Sequence, residues 1–455
     1  MGSRFSFSVI LLLVSIGASA QVQFRGTNLM EFQWGNLPTL DPKYQSSLFD
    51  QLDLSLRYES FGLDTRIEQY YPSFGEDISY RRISQFKFQY KSELLDVEVG
   101  NIYPTLGRGL LLRTYEIPSS IWETRGFRVR YGFYRDLLGA SVTLNLKDFE
   151  LKALRGEYLD VTLPPTIEDI QQRRPDLVEG AQATYRMDQH SVGLIFMRNF
   201  RQDPAGMDPG RPDSYASFFY EGVLFDRVSV YGELAKLLAD SLPITAFDEE
   251  AGYGAYAGIN FFIAGIGVSL EYKDYQNFSL GTGINDPPTL IKEHTYRNLN
   301  RSTHVPALTD ESGYQVELYY SLPDGSLLTL NTSRSKNEIT PEIEPVFQEY
   351  FIEYQFELGE KISVKAFGDY SKDPFRNEDH RYALGSYIDM EHKNLISSLE
   401  FEWQRIDRNV VTPISFSNWY AAYTISKASK YSASIVTELT YDPNLLVDQD
   451  YKVGS

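Results

Sequence analysis

Apolar and polar residues alternate along this chain with a period of two. Near its start, Phe24, Met30, Phe32 and Trp34 are separated by polar residues, and the same alternation recurs up to Tyr441. Successive side chains of a β-strand point to opposite faces, so each such segment predicts a strand with one apolar and one polar face. The segments are about ten residues long, which suits a strand that crosses a membrane at a tilt. The pattern predicts an all-β chain.

The composition narrows the class of all-β protein. The chain holds 33 Tyr and 28 Phe, yet its mean hydropathy is only -0.33. Helical membrane proteins are more hydrophobic than this, whereas transmembrane β-barrels combine an apolar outer face with a polar lumen. A net charge of -19 argues against a nucleic-acid partner. The absence of cysteine excludes disulfides, thiolate metal sites and cysteine nucleophiles.

The N-terminus predicts export. Arg4 precedes a short apolar run from Val9 to Ile16, and Ala18-Ser19-Ala20 fits a signal-peptidase site. Residues 1–20 are therefore interpreted as a signal peptide and residues 21–455 as the barrel, located in the bacterial outer membrane. A strand pattern starts at Val22, directly after the cleavage site, so we expect no plug domain before the barrel.

Short turns alternate with long loops, as in outer-membrane barrels. The pattern predicts twenty-one complete strands and a further one beginning at Tyr451, hence about 22 in all and possibly 24. This count requires residues 124–146 to form one long irregular strand, with an inserted hairpin as the alternative. Residues 451–455 form only half a strand, which favours a sequence truncated before its closing strand.

The alternation also assigns the two faces of the sheet. Asp53, Glu59, Asp64 and Glu68 are interpreted as lumen residues, mixed with arginines and lysines. Because Asp and Glu total 62 against 43 Lys and Arg, an aqueous path should favour cations. The predicted lipid-facing stripe includes Phe24, Phe32, Leu54, Tyr58, Phe88, Tyr354 and Trp403.

A barrel this wide needs a constriction, and the segment Gly107–Glu116 is the best candidate. Its two glycines permit tight bends, and its leucine triplet would be unfavourable in water. Folded inward, Arg108 and Arg113 could pair with wall carboxylates such as Asp53, Glu59 or Glu68. The predicted constriction residues are Arg108, Arg113 and Glu116, and the alternative is an extracellular cap or an edge strand.

The Gly-Arg-Gly-Leu run from Gly107, followed by Arg113, Tyr115 and Glu116, resembles a family of outer-membrane barrels of unknown function found in Bacteroidota. The residues Arg125-Gly126-Phe127-Arg128-Val129, which open a strand, agree with this resemblance. It implies the barrel fold and the outer-membrane location, and it implies no activity. Members of that family are longer at the C-terminus, which again implies truncation.

Two function classes stay open: a channel or porin for solutes, and a structural or scaffold barrel whose lumen is plugged by loops. An enzyme is not expected, since the sequence holds no HExxH, Walker or Gly-x-Ser-x-Gly motif. Asp379-His380 is interpreted as a solvated loop end rather than a catalytic dyad. The aspartates of residues 199–213 lack EF-hand spacing and are interpreted as turn residues. No catalytic residue, metal ligand or cofactor is predicted.

The expected partners are outer-membrane lipid and lipopolysaccharide, and Asp248-Glu249-Glu250 could bind divalent cations that bridge lipopolysaccharide. The long loop 274–311 could also dock an acidic protein partner or glycan, because it concentrates basic residues in an acidic protein. These basic residues are Lys292, His294, Arg297, Arg301 and His304.

Overall fold

The computed structural model of the protein describes residues 22–36, 44–71, 79–117, 121–123, 128–130, 133–159, 173–200, 212–238, 252–278, 280, 288, 290–304, 310–338, 344–409, 412–428 and 430–443. The predicted signal peptide, most of loop 199–213, residues 248–250 and the strand predicted from Tyr451 lie outside these ranges. Within them, no helix is long and apolar enough to cross a membrane.

Strands dominate the described residues, with one short helix α1 (Arg297–Arg301) and a 3-10 turn (Pro374–Arg376). In chain order the strands are β1 (Gln23–Asn36), β2 (Tyr44–Tyr58), β3 (Phe61–Tyr71), β4 (Tyr80–Lys91), β5 (Leu95–Ile102), β6 (Thr105–Leu106), β7 (Leu112–Arg113), β8 (Tyr115–Ile117), β9 (Ile121–Glu123), β10 (Arg128–Arg130), β11 (Phe133–Arg135), β12 (Leu137–Leu146), β13 (Phe149–Leu159), β14 (Arg173–Met187), β15 (His190–Phe200), β16 (Asp213–Leu224), β17 (Val228–Leu238), β18 (Tyr253–Ile263), β19 (Ile266–Gln276), β20 (Glu311–Ser321), β21 (Leu327–Asn337), β22 (Val346–Glu357), β23 (Ile362–Asp373), β24 (Glu378–His392), β25 (Leu395–Asn409), β26 (Pro413–Lys427) and β27 (Tyr431–Thr440).

Twenty-one of these strands belong to one antiparallel sheet, and β6 to β11 form three separate two-stranded pairs. The all-β class is confirmed. The twenty-one strands equal the number of complete strands that the alternation predicts. The period of two succeeds because it reports which side of a strand each residue occupies, whatever the strand pairs with.

The first compact unit comprises residues 1–187, 193–217 and 280–286. In it, β1 to β5 pair in succession, β5 pairs with β12, and β12 to β14 continue the ladder. Cross-strand register aligns Thr27 with Asp53, Asp53 with Arg66, and Arg66 with Gln85. This register places a row of polar side chains on one face of four neighbouring strands.

The prediction of one long strand over residues 124–146 is wrong. The ladder strand β12 begins only at Leu137, where it pairs with Ile102 of β5. The described residues between these two paired strands (103–117, 121–123, 128–130 and 133–136), called here the finger, lie outside the sheet. Inside the finger, β6 pairs with β7, β8 with β11 and β9 with β10. The finger therefore corresponds to the alternative of an inserted hairpin.

The second compact unit comprises residues 188–192, 218–279 and 287–455. In it, β17 pairs with β18, β18 with β19, and each following strand with the next as far as β27. A buried cluster on one face of β22 to β24 is completed by two residues from outside the strands, Tyr296 and Leu299.

In both units most strands have an apolar face that is more exposed than the polar face, whereas β1 and β27 are largely exposed on both faces. Phe24, Phe32 and Phe88 are 66%, 67% and 42% exposed. Leu54, Tyr58, Tyr354 and Trp403 are half-buried by their neighbours. In β25, the exposed Phe401 alternates with Glu402 and Gln404, both buried. In a soluble protein most apolar side chains are buried and most polar ones are exposed, so the arrangement here is the reverse.

Candidate functional site

Two segments of chain lie against the polar face, one in each compact unit. The first is the finger, which starts with a sharp bend. Gly107 and Gly109 have φ angles of 56° and 97°. A Cβ atom on Gly109 would lie only 2.7 Å from Cβ of Arg113. Both glycines are therefore needed for the bend, as the sequence indicates.

The finger is hydrogen-bonded to polar side chains of β13 and β14, and its leucines are buried. Leu106 and the triplet Leu110–Leu112 are completely buried. The amide of Gly107 donates a hydrogen bond of 2.9 Å to Oε1 of Gln182, and Nζ of Lys152 donates to the carbonyl of Thr105 at 3.2 Å. This arrangement removes the triplet from water.

An ion pair joins a carboxylate of the finger to an arginine of the strands. Glu116 of the finger pairs with Arg66 of β3 at 2.5 Å, and Arg66 also pairs with Asp53 at 2.6 Å. Arg113 instead lies 5.4 Å from the ring centroid of Tyr115, and Arg108 is half-buried. Glu116, and not Arg113, is thus the residue that ties the finger to the wall at Arg66.

A cavity of about 450 Å³ lies beside the Arg66–Glu116 pair. Its charged lining includes Arg25, Asp53, Lys87 and Glu116, and the phenol of Tyr103 also faces it. Burial holds the pKa of Tyr103 well above its usual value, so this side chain is neutral. The lining carries both signs of charge among apolar groups such as Leu54 and Phe86.

The second segment, residues 290–304, is called here the strap. It includes α1 and belongs to the loop in which the sequence analysis noted a basic cluster. Tyr296 and Leu299 anchor it, packing among Phe351, Phe367 and Ala383. The ring of Tyr296 stacks on Phe367 at a centroid distance of 3.8 Å, and its hydroxyl donates to Glu353. Burial raises the pKa of Tyr296 well above its usual value, and the bond to Glu353 raises it further.

Each basic side chain of the strap meets a carboxylate of the same chain. The acidic partners lie on four different strands, so the strap crosses a ladder of acidic residues. The pairs are Lys292 with Glu317, His294 with Glu349 at 3.2 Å, Arg297 and Arg301 with Glu438 at 2.5 and 2.8 Å, and His304 with Asp373 at 2.9 Å. The acidic partner expected for this basic cluster is thus present within the chain itself.

The strands also bind the main chain of the strap. Glu402 accepts hydrogen bonds from the backbone amides of Arg297 and Asn298, both at 2.7 Å. Gln404 donates to the carbonyl of Asn298 at 3.3 Å. Arg381 donates to the carbonyl of Ser302 at 2.5 Å. Side chains of the sheet therefore bind both N–H and C=O groups of the strap's backbone.

Arg381 is the central residue of this region and is almost completely buried. Its guanidinium lies 2.8 Å from Glu349 and 3.2 Å from Asp369. His294, Glu349 and Asp369 also hold possible metal-ligating atoms within 4.8 Å of one another. However, Arg381 already provides a fixed positive charge to both carboxylates, so a cation would be repelled there. We assign no metal to this cluster.

Asp379 and His380 are both exposed at the start of β24. The ring of His380 lies 3.0 Å from the hydroxyl of Tyr370, and it is not aligned with a buried acid. The sequence analysis missed Arg381, the very next residue, as well as Glu402. Alternation marks both as polar-face positions, but no local signal shows that each binds a segment about a hundred residues away in sequence.

Comparisons with known proteins give one family and several remote structural likenesses. The model of a family of unknown function, DUF6029, matches residues 28–186. This range includes most of the first compact unit and the whole finger. No curated protein matches the chain.

Among solved structures, the outer membrane protein OpdK of Pseudomonas aeruginosa is 13% identical with a TM-score of 0.43, covering 81% of this chain and 98% of its own. OccK3 (OpdO) of the same organism is 11% identical with a TM-score of 0.45, covering 81% and 95%. Wzi of Escherichia coli, described as a carbohydrate-binding β-barrel of group 1 capsule assembly, is 10% identical with a TM-score of 0.40, covering 80% and 84%.

Proposed function

We propose that this protein is an outer-membrane β-barrel that conducts small solutes through a lumen narrowed by the finger and the strap. The observation that carries the proposal is the inverted sheet, with exposed apolar residues on one face and covered polar residues on the other. Lipid is the solvent for which such an exposed face is suited. The outer-membrane location and the lipid contact of Phe24, Phe32, Leu54, Tyr58, Phe88, Tyr354 and Trp403 are parts of this proposal.

The two covering segments favour a narrow channel over a wide one. An unobstructed barrel of this strand number would enclose a broad aqueous lumen. Here four leucines of the finger are completely buried, the finger is hydrogen-bonded to β13 and β14, and the strap crosses several strands of the second unit. We therefore infer that permeation is selective, with the cavity beside Arg66 and Glu116 on the solute path.

A scaffold barrel with a plugged lumen is the second candidate, and the strap is the observation that favours it. Its basic side chains are all engaged by carboxylates, and its backbone is bound at several points. A protein partner at loop 274–311 would have to use other groups, such as the exposed Glu293 and Asn300. Lipopolysaccharide remains the proposed contact of the lipid-facing surface.

We also propose that the chain belongs with the Bacteroidota family suggested by its Gly-Arg-Gly-Leu run, since the matched range 28–186 contains that run. We propose no enzymatic activity. Within the described residues, four of the five histidines pair with carboxylates or tyrosines.

Single-channel recording in planar bilayers tests the channel against the scaffold. The channel proposal predicts discrete conductance steps for the wild-type protein. Neutralising Arg108 and Arg113 should increase cation selectivity, because two positive charges leave the path. This preference should weaken in 1 M salt, where the Debye length falls to about 3 Å. If the wild-type protein does not conduct and a variant lacking the finger does, the scaffold is favoured. If deleting the finger leaves the conductance unchanged, the finger is not the constriction.

A further inference from the structure

We propose that the polar face beneath the strap is a peptide-binding surface whose ligands are short basic peptides with an aromatic residue, and that the strap occupies it as an internal ligand. The proposal rests on the proposed function only in placing this face inside a lumen. The binding itself follows from the groups that the strands present.

The first argument is that these strands bind the peptide main chain. Glu402 accepts two consecutive amides, while Gln404 and Arg381 donate to carbonyls that follow them in the chain, those of Asn298 and Ser302. Arg376 adds bonds to the carbonyls of Arg301 and Thr303 at 3.4 and 3.3 Å. Such bonds depend on the backbone alone, so any peptide that adopts the conformation of the strap could make them.

The second argument is that the side-chain sites define a sequence preference. An aromatic site receives Tyr296 between Phe367 and the ring of Tyr387, whose centroid lies 5.1 Å away. Acidic sites lie on both sides of it, at Glu317 and at Glu438. The preferred ligand has an aromatic residue, a basic residue directly after it, and further basic residues four positions before and five positions after it, as in Lys292, Tyr296, Arg297 and Arg301.

The third argument is that the binding groups are held in place by the sheet and not by the strap. The hydroxyl of Tyr387 donates to Glu402 at 2.5 Å, and Asn418 donates to Gln404 at 3.0 Å. Arg381 is fixed by Glu349 and Asp369 on neighbouring strands. The surface should therefore persist when the strap leaves, and a preorganised surface loses little entropy on binding.

The decisive experiment removes the internal ligand and supplies it from outside. Residues 291–304 are replaced by a Gly/Ser linker of equal length in the full chain, purified in detergent. A fluorescent peptide, IKEHTYRNLNRSTH, is titrated and followed by anisotropy, with a scrambled peptide of the same composition as control. We expect saturable binding by the strap peptide, at least about tenfold tighter than the scrambled one. Equal affinity for the two peptides would overturn the proposal.

A matched pair of variants locates the binding. In the same background, Glu402→Gln should weaken binding of the strap peptide about tenfold or more, since a charge-assisted acceptor of backbone amides is lost. Glu400→Gln is the control. Glu400 lies on the same strand and face but accepts only from Tyr420 within the described residues, at 2.7 Å. Equal effects of the two variants would refute the assignment of the surface.

A second measurement uses the unshortened chain, in case the linker variant does not fold. The sequence contains no cysteine, so Asn300→Cys, at an exposed position of the strap, accepts one spin label. Excess strap peptide should displace the strap and increase the mobility of the label, whereas the scrambled peptide should not. If the strap peptide leaves the label unchanged, the surface is not available to peptides and the proposal fails.

Conductance separates this inference from the channel proposal. A protein that conducts but does not distinguish the two peptides refutes the peptide surface alone. A protein that binds the strap peptide selectively but never conducts refutes the channel, while the peptide surface stands.

Discussion

The substitution Glu402→Gln should release the strap. The carboxylate of Glu402 accepts the amides of Arg297 and Asn298, both at 2.7 Å. A glutamine keeps one acceptor oxygen and turns an NH₂ group toward the other amide. The loss of one charge-assisted bond costs about 1.5–3 kcal/mol. Since about 1.4 kcal/mol is a tenfold change in an equilibrium constant, the population of released strap should rise about 10- to 100-fold.

Limited trypsin digestion measures that population. Arg301 has a side chain that is 40% exposed, but cleavage requires the strap to leave its site on the sheet. When opening is fast relative to cleavage, the cleavage rate follows the equilibrium fraction of the open form. Mass spectrometry of the fragments identifies cuts after Arg297 and Arg301, which are the ones to count.

The control is again Glu400→Gln, which removes the same charge from the same strand and face. Faster cleavage of both variants by the same factor would mean that loss of charge on this face, and not loss of the two amide contacts, loosens the strap. Cleavage of Glu402→Gln at the wild-type rate would show that the contacts to Glu402 do not hold the strap, and the reasoning above would be refuted.

Three further predictions concern the lipid face, the finger and pH. Leu54→Arg should cost about 2–4 kcal/mol if that residue lies at the bilayer midplane. The folded fraction on a heat-modifiability gel should therefore fall more for Leu54→Arg than for Ser55→Arg. Equal losses would refute the assignment of Leu54 to the lipid-facing side of the strand. Deleting Leu110–Leu112 should increase single-channel conductance, and an unchanged value would exclude the finger from the constriction. Because the pKa of Tyr296 is raised in the folded state, the stabilisation that its bond to Glu353 gives the strap should be fully present below about pH 10 and should decrease as the pH rises further. Label mobility at Asn300→Cys should therefore rise above that pH in the wild-type background and show a smaller rise with Tyr296→Phe.

The period of two predicted most of the fold. It placed Phe24, Phe32 and Phe88 on the exposed face and Asp53 and Arg66 on the polar face. This works because side-chain direction in a strand is a local property, fixed by the backbone pleat. The same pattern did not predict where the strand within residues 124–146 begins, because the start of a strand depends on the neighbouring strand with which it pairs. Leu137 starts β12 by pairing with Ile102, and no local feature of Arg128 or Tyr134 shows that those residues belong to the finger.

The amino-acid sequence alone shows that residues Lys292 to His304 carry a basic cluster in need of acidic partners. That those partners lie on the chain's own strands is known from the folded structure, in which Glu402 accepts the amide of a residue 105 positions away. Alternation states which face a residue occupies, but not which loop covers that face. The covering depends on the order of the strands and on the path of a long connection between them, and these are properties of the folded chain.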